Sequence, residues 1–185
     1  MRIIAGKAGR LVIKVPKAVA RPTTDLVRQA LFSILGDLVD GARVLDLFAG
    51  SGAIGLEALS RGAASCVFVD EHRQSVAVIG ENLAKSRLEG GRVASSEALA
   101  FLRRDAGVYD LIFADPPYVK HPGDRDHVKA LLESGLLAPR LAPGGWFIAE
   151  ISAGQRSPEA AGWSLSDRRE YGGCAILLYA PVAAA

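Results

Sequence analysis

Two short runs carry residue types suited to chemistry on a polar ligand: Asp115-Pro116-Pro117-Tyr118 and Asp46-Leu47-Phe48-Ala49-Gly50-Ser51-Gly52. In the first, Pro116 and Pro117 stiffen the loop and bring no backbone donors. The Asp115 carboxylate and the Pro116 carbonyl are then neighbouring acceptors, and an amino group with two N–H bonds fits between them. The Tyr118 ring offers a face on which a flat base can stack. An exocyclic amine is a poor nucleophile because its lone pair is delocalised into its ring. Two acceptors that aim its nitrogen at a methyl sulfonium would act largely by positioning.

The second run reads as a buried strand, a glycine turn and a helix start. Gly50 and Gly52 let the backbone turn sharply and approach a ligand closely. With Gly55 they spell G-x-G-x-x-G, and Asp70 ends the next apolar strand, which taken literally suggests a dinucleotide. Asp46 argues otherwise. It stands just before the glycines, where it would repel a pyrophosphate and attract a cation. S-adenosylmethionine fits better, since its methionine end is a zwitterion and its sulfonium is positive. The alternative is a tight turn with no ligand.

These residues need a sheet to place them. From residue 43 onward apolar strand-like runs alternate with helical patterns, the mark of a parallel sheet. The strands fall at about 43–48, 66–69, 92–94, 109–114 and 146–151. Helices are expected over about 53–61, 73–87, 98–104 and 125–137, the third capped by Ser95 or Ser96. An antiparallel end follows, 163–169 and 175–179. In such a sheet ligands bind beyond the carboxyl ends of the strands. Asp46, Asp70 and Asp115 end strands there and Glu97 follows the third, so four acids line one edge. Asp70 is placed to accept both ribose hydroxyls of an adenosine. Ser96, Glu97 and Ala98 are placed by the adenine, with Glu97 able to accept its amino group.

The 185 residues, half of them hydrophobic, suit one domain with a real core. No apolar run reaches membrane-spanning length and no signal-peptide core is evident at the start, so a cytoplasmic location is expected. Cys66 and Cys174 lie in apolar strand-like runs and read as buried thiols. His72, His121 and His127 form no metal-ligand spacing with them, so no metal is expected.

The net charge of +2 is unevenly spread. Arg2, Lys7, Arg10, Lys14, Lys17, Arg21 and Arg28 stand against Asp25 alone, leaving residues 1–28 at +6 and the remainder at −4. A basic arm on a near-neutral body points to a polyanion, with a solvated edge as the alternative. Arg2–Ala5 and Arg10–Val15 read as strands of a hairpin turning at Gly6–Gly9, so residues 1–20 form an appendage to a main domain over 21–185. Thr23 or Thr24 caps a helix running from Asp25 to about Gly36.

Taken together, these runs resemble the bacterial methyltransferases that modify a guanine N2 in small-subunit (16S) ribosomal RNA, the RsmD family. Arg2-Ile3-Ile4-Ala5-Gly6, Arg21-Pro22-Thr23-Thr24-Asp25 with Arg28, the glycine run with Gly55–Arg61, and Asp115–Tyr118 carry the likeness. The basic hairpin followed by Arg-Pro-Thr-Thr-Asp is its discriminating part. The resemblance implies an α/β, Rossmann-like class I fold with a mostly parallel seven-stranded sheet and an antiparallel C-terminal hairpin. It also implies S-adenosylmethionine as donor and a ribosomal assembly particle as substrate. By position, Asp46, Phe48, Gly50, Ser51, Gly52, Asp70, Glu97 and Ala98 would hold the cofactor. Asp115, Pro116 and Tyr118 would hold the flipped guanine, with Pro117, Arg21, Thr23, Thr24 and Arg28 bordering it and Lys7, Arg10, Lys14 and Lys17 on RNA. Related amine methyltransferases carry Asn at the place of Asp115, which favours an orienting role over a basic one. Position 70 is Asp where some relatives have Glu, and Glu97 stands where relatives often have Asp or Asn. An adenine-N6 or cytosine-N4 DNA methyltransferase, a protein glutamine methyltransferase and a silent RNA-binding scaffold are the competing readings.

Overall fold

The computed structural model describes residues 1–16, 24–121 and 123–182. Lys17, Arg21 and Thr23 lie outside the described residues. The sheet comprises β1 (Arg43–Leu47), β2 (Ser65–Asp70), β3 (Gly91–Ser95), β4 (Tyr109–Ala114), β5 (Leu141–Ser152), β6 (Trp163–Tyr171) and β7 (Cys174–Pro181). Their order is β3-β2-β1-β4-β5-β7-β6. β1 to β5 pair in parallel, and β7 runs antiparallel between β5 and β6. The order reverses at β1 and β4, which places a crevice beyond their carboxyl ends.

Period-two alternation sorts the strand side chains to two faces. Val44, Phe68 and Phe113 point to the face covered by α1 (Asp25–Leu35), α2 (Ala53–Ser60) and α3 (Arg73–Ser86), among Phe32, Leu56 and Ile79. Leu45, Leu47, Val67 and Ile112 point to the face covered by α4 (Ala98–Arg104) and α5 (His127–Glu133), among Phe101, Leu131 and Leu132. Gly55 sets how closely α2 lies on the sheet. A Cβ there would come within 2.3 Å of the Phe68 ring and 2.5 Å of the Cys66 sulfur. Cys66 and Cys174 are buried thiols that form no disulfide, as expected.

Several details depart from the sequence reading. The N-terminal segment forms one antiparallel bridge, Arg2 with Val12, rather than two strands. The two legs still pair as a hairpin, Ile3 N donating to the Leu11 carbonyl at 2.9 Å, Arg10 N to the Ile3 carbonyl at 2.8 Å and Ile13 N to the Met1 carbonyl at 3.1 Å, and further peptide groups turn to the body. Ile4 and Ala5 donate to Glu57 at 2.6 and 3.1 Å, Lys7 to the Ser60 carbonyl at 2.7 Å and Ala8 to the Ser60 hydroxyl at 2.9 Å. Ile3 and Ile13 fill the core beside α2. The cap of α4 is Glu97, accepting from Ala100 N at 2.8 Å, not Ser95 or Ser96. Asp126 caps α5, which is shorter than its apolar pattern because Gly135, at φ +68°, follows the last turn. β5 starts at Leu141, and an irregularity in its pairing with β4 absorbs the Pro143–Gly145 turn within the strand.

Candidate active site

Register builds the site. Leu47 of β1 pairs with Val69 on one side and Ala114 on the other. Phe48, Asp70 and Asp115 therefore leave the sheet side by side at one edge. Asp70 pairs in turn with Ser95, and Ser96 N donates to the Asp70 carbonyl at 3.0 Å, which brings Glu97 to the same edge. All four predicted acids are thus gathered at this end of the sheet.

The turn after β1 is left-handed at Gly50 (φ +55°) and Gly52 (φ +78°), and also at Phe48 (φ +63°). Phe48 is a bulky residue in a region that disfavours it. Its ring rests edge-on against His127, 5.2 Å between centroids. Gly52 N donates to the Ala49 carbonyl at 2.6 Å and closes the turn.

Asp46 lies beneath this turn, 1% exposed, and accepts from Gly55 N at 3.0 Å. Burial pushes its carboxyl up to about 7, the Gly55 N–H opposes this, and the Asp70 charge adds to it. Such a buried anion, weakly compensated, suits a site that receives a cation. Asp70 is committed to the turn through both oxygens, accepting from Gly50 N at 2.8 Å and His72 N at 2.9 Å. Each oxygen keeps a second lone pair able to accept a hydroxyl. Ser51 is buried, its hydroxyl 3.4 Å from the Met1 sulfur and its carbonyl accepting from Asn82 at 2.9 Å. Glu97 serves as a helix cap and stands 3.8 Å from Arg125, while Ala98 is buried behind it.

At β4 the loop begins with a half-buried Asp115 and a buried Pro116, then an exposed Pro117 and a half-buried Tyr118. The Tyr118 hydroxyl donates to Glu150 Oε1 at 2.5 Å. Burial and that carboxylate raise the phenol far above its usual range, so it stays neutral and the bond fixes the ring. Sequence reasoning missed Glu150, although it too sits toward the carboxyl end of a strand adjoining β4. His127 and Arg125, beside Phe48 and Glu97, were also missed, because their partners are distant in sequence.

On the N-terminal side, Lys7, Arg10 and Lys14 are exposed, Lys14 pairing with Glu81 at 2.5 Å. Thr24 caps α1, accepting from Val27 N at 3.3 Å. Arg28 is 0% exposed and donates to the Arg2 carbonyl at 2.7 Å and to Asp25 at 2.6 Å, with Glu57 at 3.9 Å. It tethers the arm to α1 and α2 from below. Among the described residues no three His, Cys, Asp or Glu side chains gather as metal ligands, and no helix is long and apolar enough to cross a membrane.

The model of the family described as Conserved hypothetical protein 95 matches residues 1–180. The chain is 34% identical over 180 residues to ribosomal RNA small subunit methyltransferase D of Escherichia coli (strain K12), covering 97% of this chain and 89% of that protein. The chain belongs to the RsmD family. The family match begins at residue 1 and so takes in the N-terminal segment. A solved hypothetical protein of Thermus thermophilus is 34% identical, with a TM-score of 0.80 over 96% of this chain and 98% of that one. SMU.776, solved in complex with SAH, is 16% identical, with a TM-score of 0.61 over 80% of this chain and 48% of that one. That likeness is one of fold, and the seven-stranded sheet of this RsmD-family chain is the class I methyltransferase sheet.

Proposed function

We propose that this protein methylates the exocyclic N2 of a guanine in 16S ribosomal RNA, within a small-subunit assembly particle in the bacterial cytoplasm, using S-adenosylmethionine. The carrying observation is the Leu47–Ala114 pairing, which sets the Asp115-Pro116 acceptors beside the glycine turn of β1. Relatives named for small-subunit ribosomal RNA support the choice of nucleic acid. The site's residues fit the cofactor: a left-handed glycine turn open to close approach, a buried carboxylate that seeks a cation, and Asp70 with acceptor capacity to spare.

Bound there, S-adenosylmethionine would supply an electrophilic methyl on a cationic sulfur. Asp46 would favour that positive charge, and Asp70 would accept the ribose hydroxyls. Phe48, Gly50, Ser51 and Gly52 would wall the methionine end, with Glu97 and Ala98 by the adenine. On the other side, Asp115 and the Pro116 carbonyl would take the two N–H bonds of N2 and point its nitrogen along the line of attack. Tyr118, held by Glu150, would stack on the flipped base, with Pro117 and Thr24 around it. Arg28 would act from within, by seating the arm. Residues 1–20 would serve as a basic RNA-binding appendage to the methyltransferase domain over 21–185.

The test is labelled methyl transfer to small-subunit particles, with nucleoside analysis of the product. Label in N2-methylguanosine supports the proposal, and label in N6-methyladenosine or in protein contradicts it. Naked 16S RNA is expected to be the poorer substrate, since one basic arm offers little surface for reading sequence.

The arm gives a separate expectation. Replacing Lys7, Arg10 and Lys14 by Ala should weaken RNA binding and make the log K against log salt slope shallower by about 2, from roughly 0.7 per lost phosphate contact on single strands. Cofactor affinity should not change. An unaltered slope in filter binding across salt concentrations would mean that the arm is only a solvated edge.

A further inference from the structure

The buried face of α3 carries Ser75, Ile79 and Asn82. A carboxamide on such a stripe is costly unless its groups are bonded. Asn82 is 1% exposed, and its bonds go to two places that the sequence keeps far apart. Its Oδ1 accepts from Lys14 N at 2.9 Å, and its Nδ2 donates to the Lys14 carbonyl at 2.9 Å. The other Nδ2 hydrogen goes to the Ser51 carbonyl, also at 2.9 Å. One side chain thus mimics a strand partner for the basic arm while gripping the turn that faces the cofactor.

The surroundings make this joint consequential. The arm has a single β-bridge, so side-chain anchors add to the seating that Ile3, Ile13 and its cross-leg backbone bonds provide. Lys14 and Lys85 reach across the arm's outer side, to Glu81 at 2.5 Å and to the Val12 carbonyl at 2.6 Å, but neither touches the glycine turn. Only Asn82 has described hydrogen bonds to both Lys14 and Ser51.

We propose that Asn82 is a positioning residue that couples RNA binding on the arm to cofactor binding at the glycine turn. This rests on the function proposed above. RNA phosphates on Lys7, Arg10 and Lys14 would hold the arm seated, which holds the Lys14 peptide against Asn82 and fixes the Ser51 carbonyl. The turn is then already ordered when the cofactor arrives, so the second ligand loses less freedom than the first. The coupling is reciprocal, so the cofactor tightens RNA binding by the same factor.

The experiment measures binding of tritiated S-adenosylhomocysteine by equilibrium dialysis, with and without saturating small-subunit particles from cells lacking this enzyme. In the unaltered protein the particle should raise the affinity about fivefold or more, within the usual range of allosteric couplings. In Asn82→Ala that factor should fall to about one. Glu81→Gln, which removes the neighbouring ion pair and leaves the joint, should keep it. Circular dichroism checks folding. Should Asn82→Ala not fold, Asn82→Asp is read instead, because it keeps an acceptor for Lys14 N and loses both amide donors. A merely structural role would lower affinity or melting temperature but leave the ratio unchanged. A persistent ratio in a folded Asn82 variant, or no ratio in the unaltered protein, overturns the coupling. Failure of the unaltered protein to bind S-adenosylhomocysteine at all would instead overturn the proposed function.

Discussion

Asp115→Ala is expected to transfer the methyl group about 10- to 100-fold more slowly than the unaltered chain. The figure follows from losing one charge-assisted hydrogen bond of roughly 1.5–3 kcal/mol to the amine, converted at 1.36 kcal/mol per tenfold. Asp115→Asn keeps a carbonyl acceptor in the same place and should be clearly faster than Asp115→Ala. The reason is chemical. The amine holds its protons firmly until the new N–C bond places positive charge on nitrogen, and after that solvent can take one. Asp115 then needs only to aim the lone pair. The measurement is single-turnover transfer with saturating cofactor and RNA, so that binding losses do not enter. An Asn variant as slow as the Ala variant, with both binding normally, would assign Asp115 the role of base, a contribution of roughly 10²–10⁴-fold.

The second large effect is a pH dependence of cofactor affinity, set by Asp46. Burial holds its carboxyl at about 7 in the free protein. A bound cation favours the ionised form, so binding below pH 7 must expel a proton. The sign is then fixed: affinity rises with pH by about tenfold per unit below 7 and levels above it. From pH 5 to 7 this amounts to about a 50-fold change. Calorimetry at pH 6 in two buffers of different ionisation enthalpy, without RNA, should show about 0.9 proton released per S-adenosylmethionine bound, the protonated fraction one unit below a pKa of about 7. Asp46→Asn should bind more weakly at pH 7 and lose both the slope and the proton. Stability of the free protein runs the other way. A carboxyl whose folded pKa lies above its unfolded value of about 3.9 binds more protons when folded between those two pH values. Its contribution to stability is therefore full below the unfolded value and declines as pH rises to 7. Asp46→Asn removes that decline. Equal affinity at pH 5 and pH 7 in the unaltered protein would show that no charge of the ligand is felt at Asp46.

Much of this site was legible in the sequence because its parts are local. Glycines after an apolar strand, acids at strand ends and a Pro-Pro loop announce themselves within a few residues. The parallel order of β1 to β5 then brings them to one edge with no further information. Capping was read one or two residues early at α4, because Ser95 and Ser96 are better caps by residue type, yet the register of β3 with β2 leaves Glu97 at the first turn. The arm is the hairpin that its residues predict, though its legs fall short of two regular strands. Its legs share backbone bonds at Ile3, Arg10 and Ile13, while Glu57, Ser60 and Asn82 take further peptide groups of the arm from far along the chain, where no local spacing points to them. Glu150, Asn82 and His127 acquire meaning only from partners at least 30 residues away, and no spacing rule reaches that far.

The reaction proposed for this chain is methylation of a guanine N2 in 16S ribosomal RNA. The most direct measurement is mass mapping of modified nucleosides in 16S RNA from cells with and without the protein. One N2-methylguanosine should disappear without it and return when the unaltered gene is supplied, but return slowly or incompletely with Asp115→Ala. An unchanged set of N2-methylguanosines, or the loss of a methylated adenosine or cytosine instead, would contradict it.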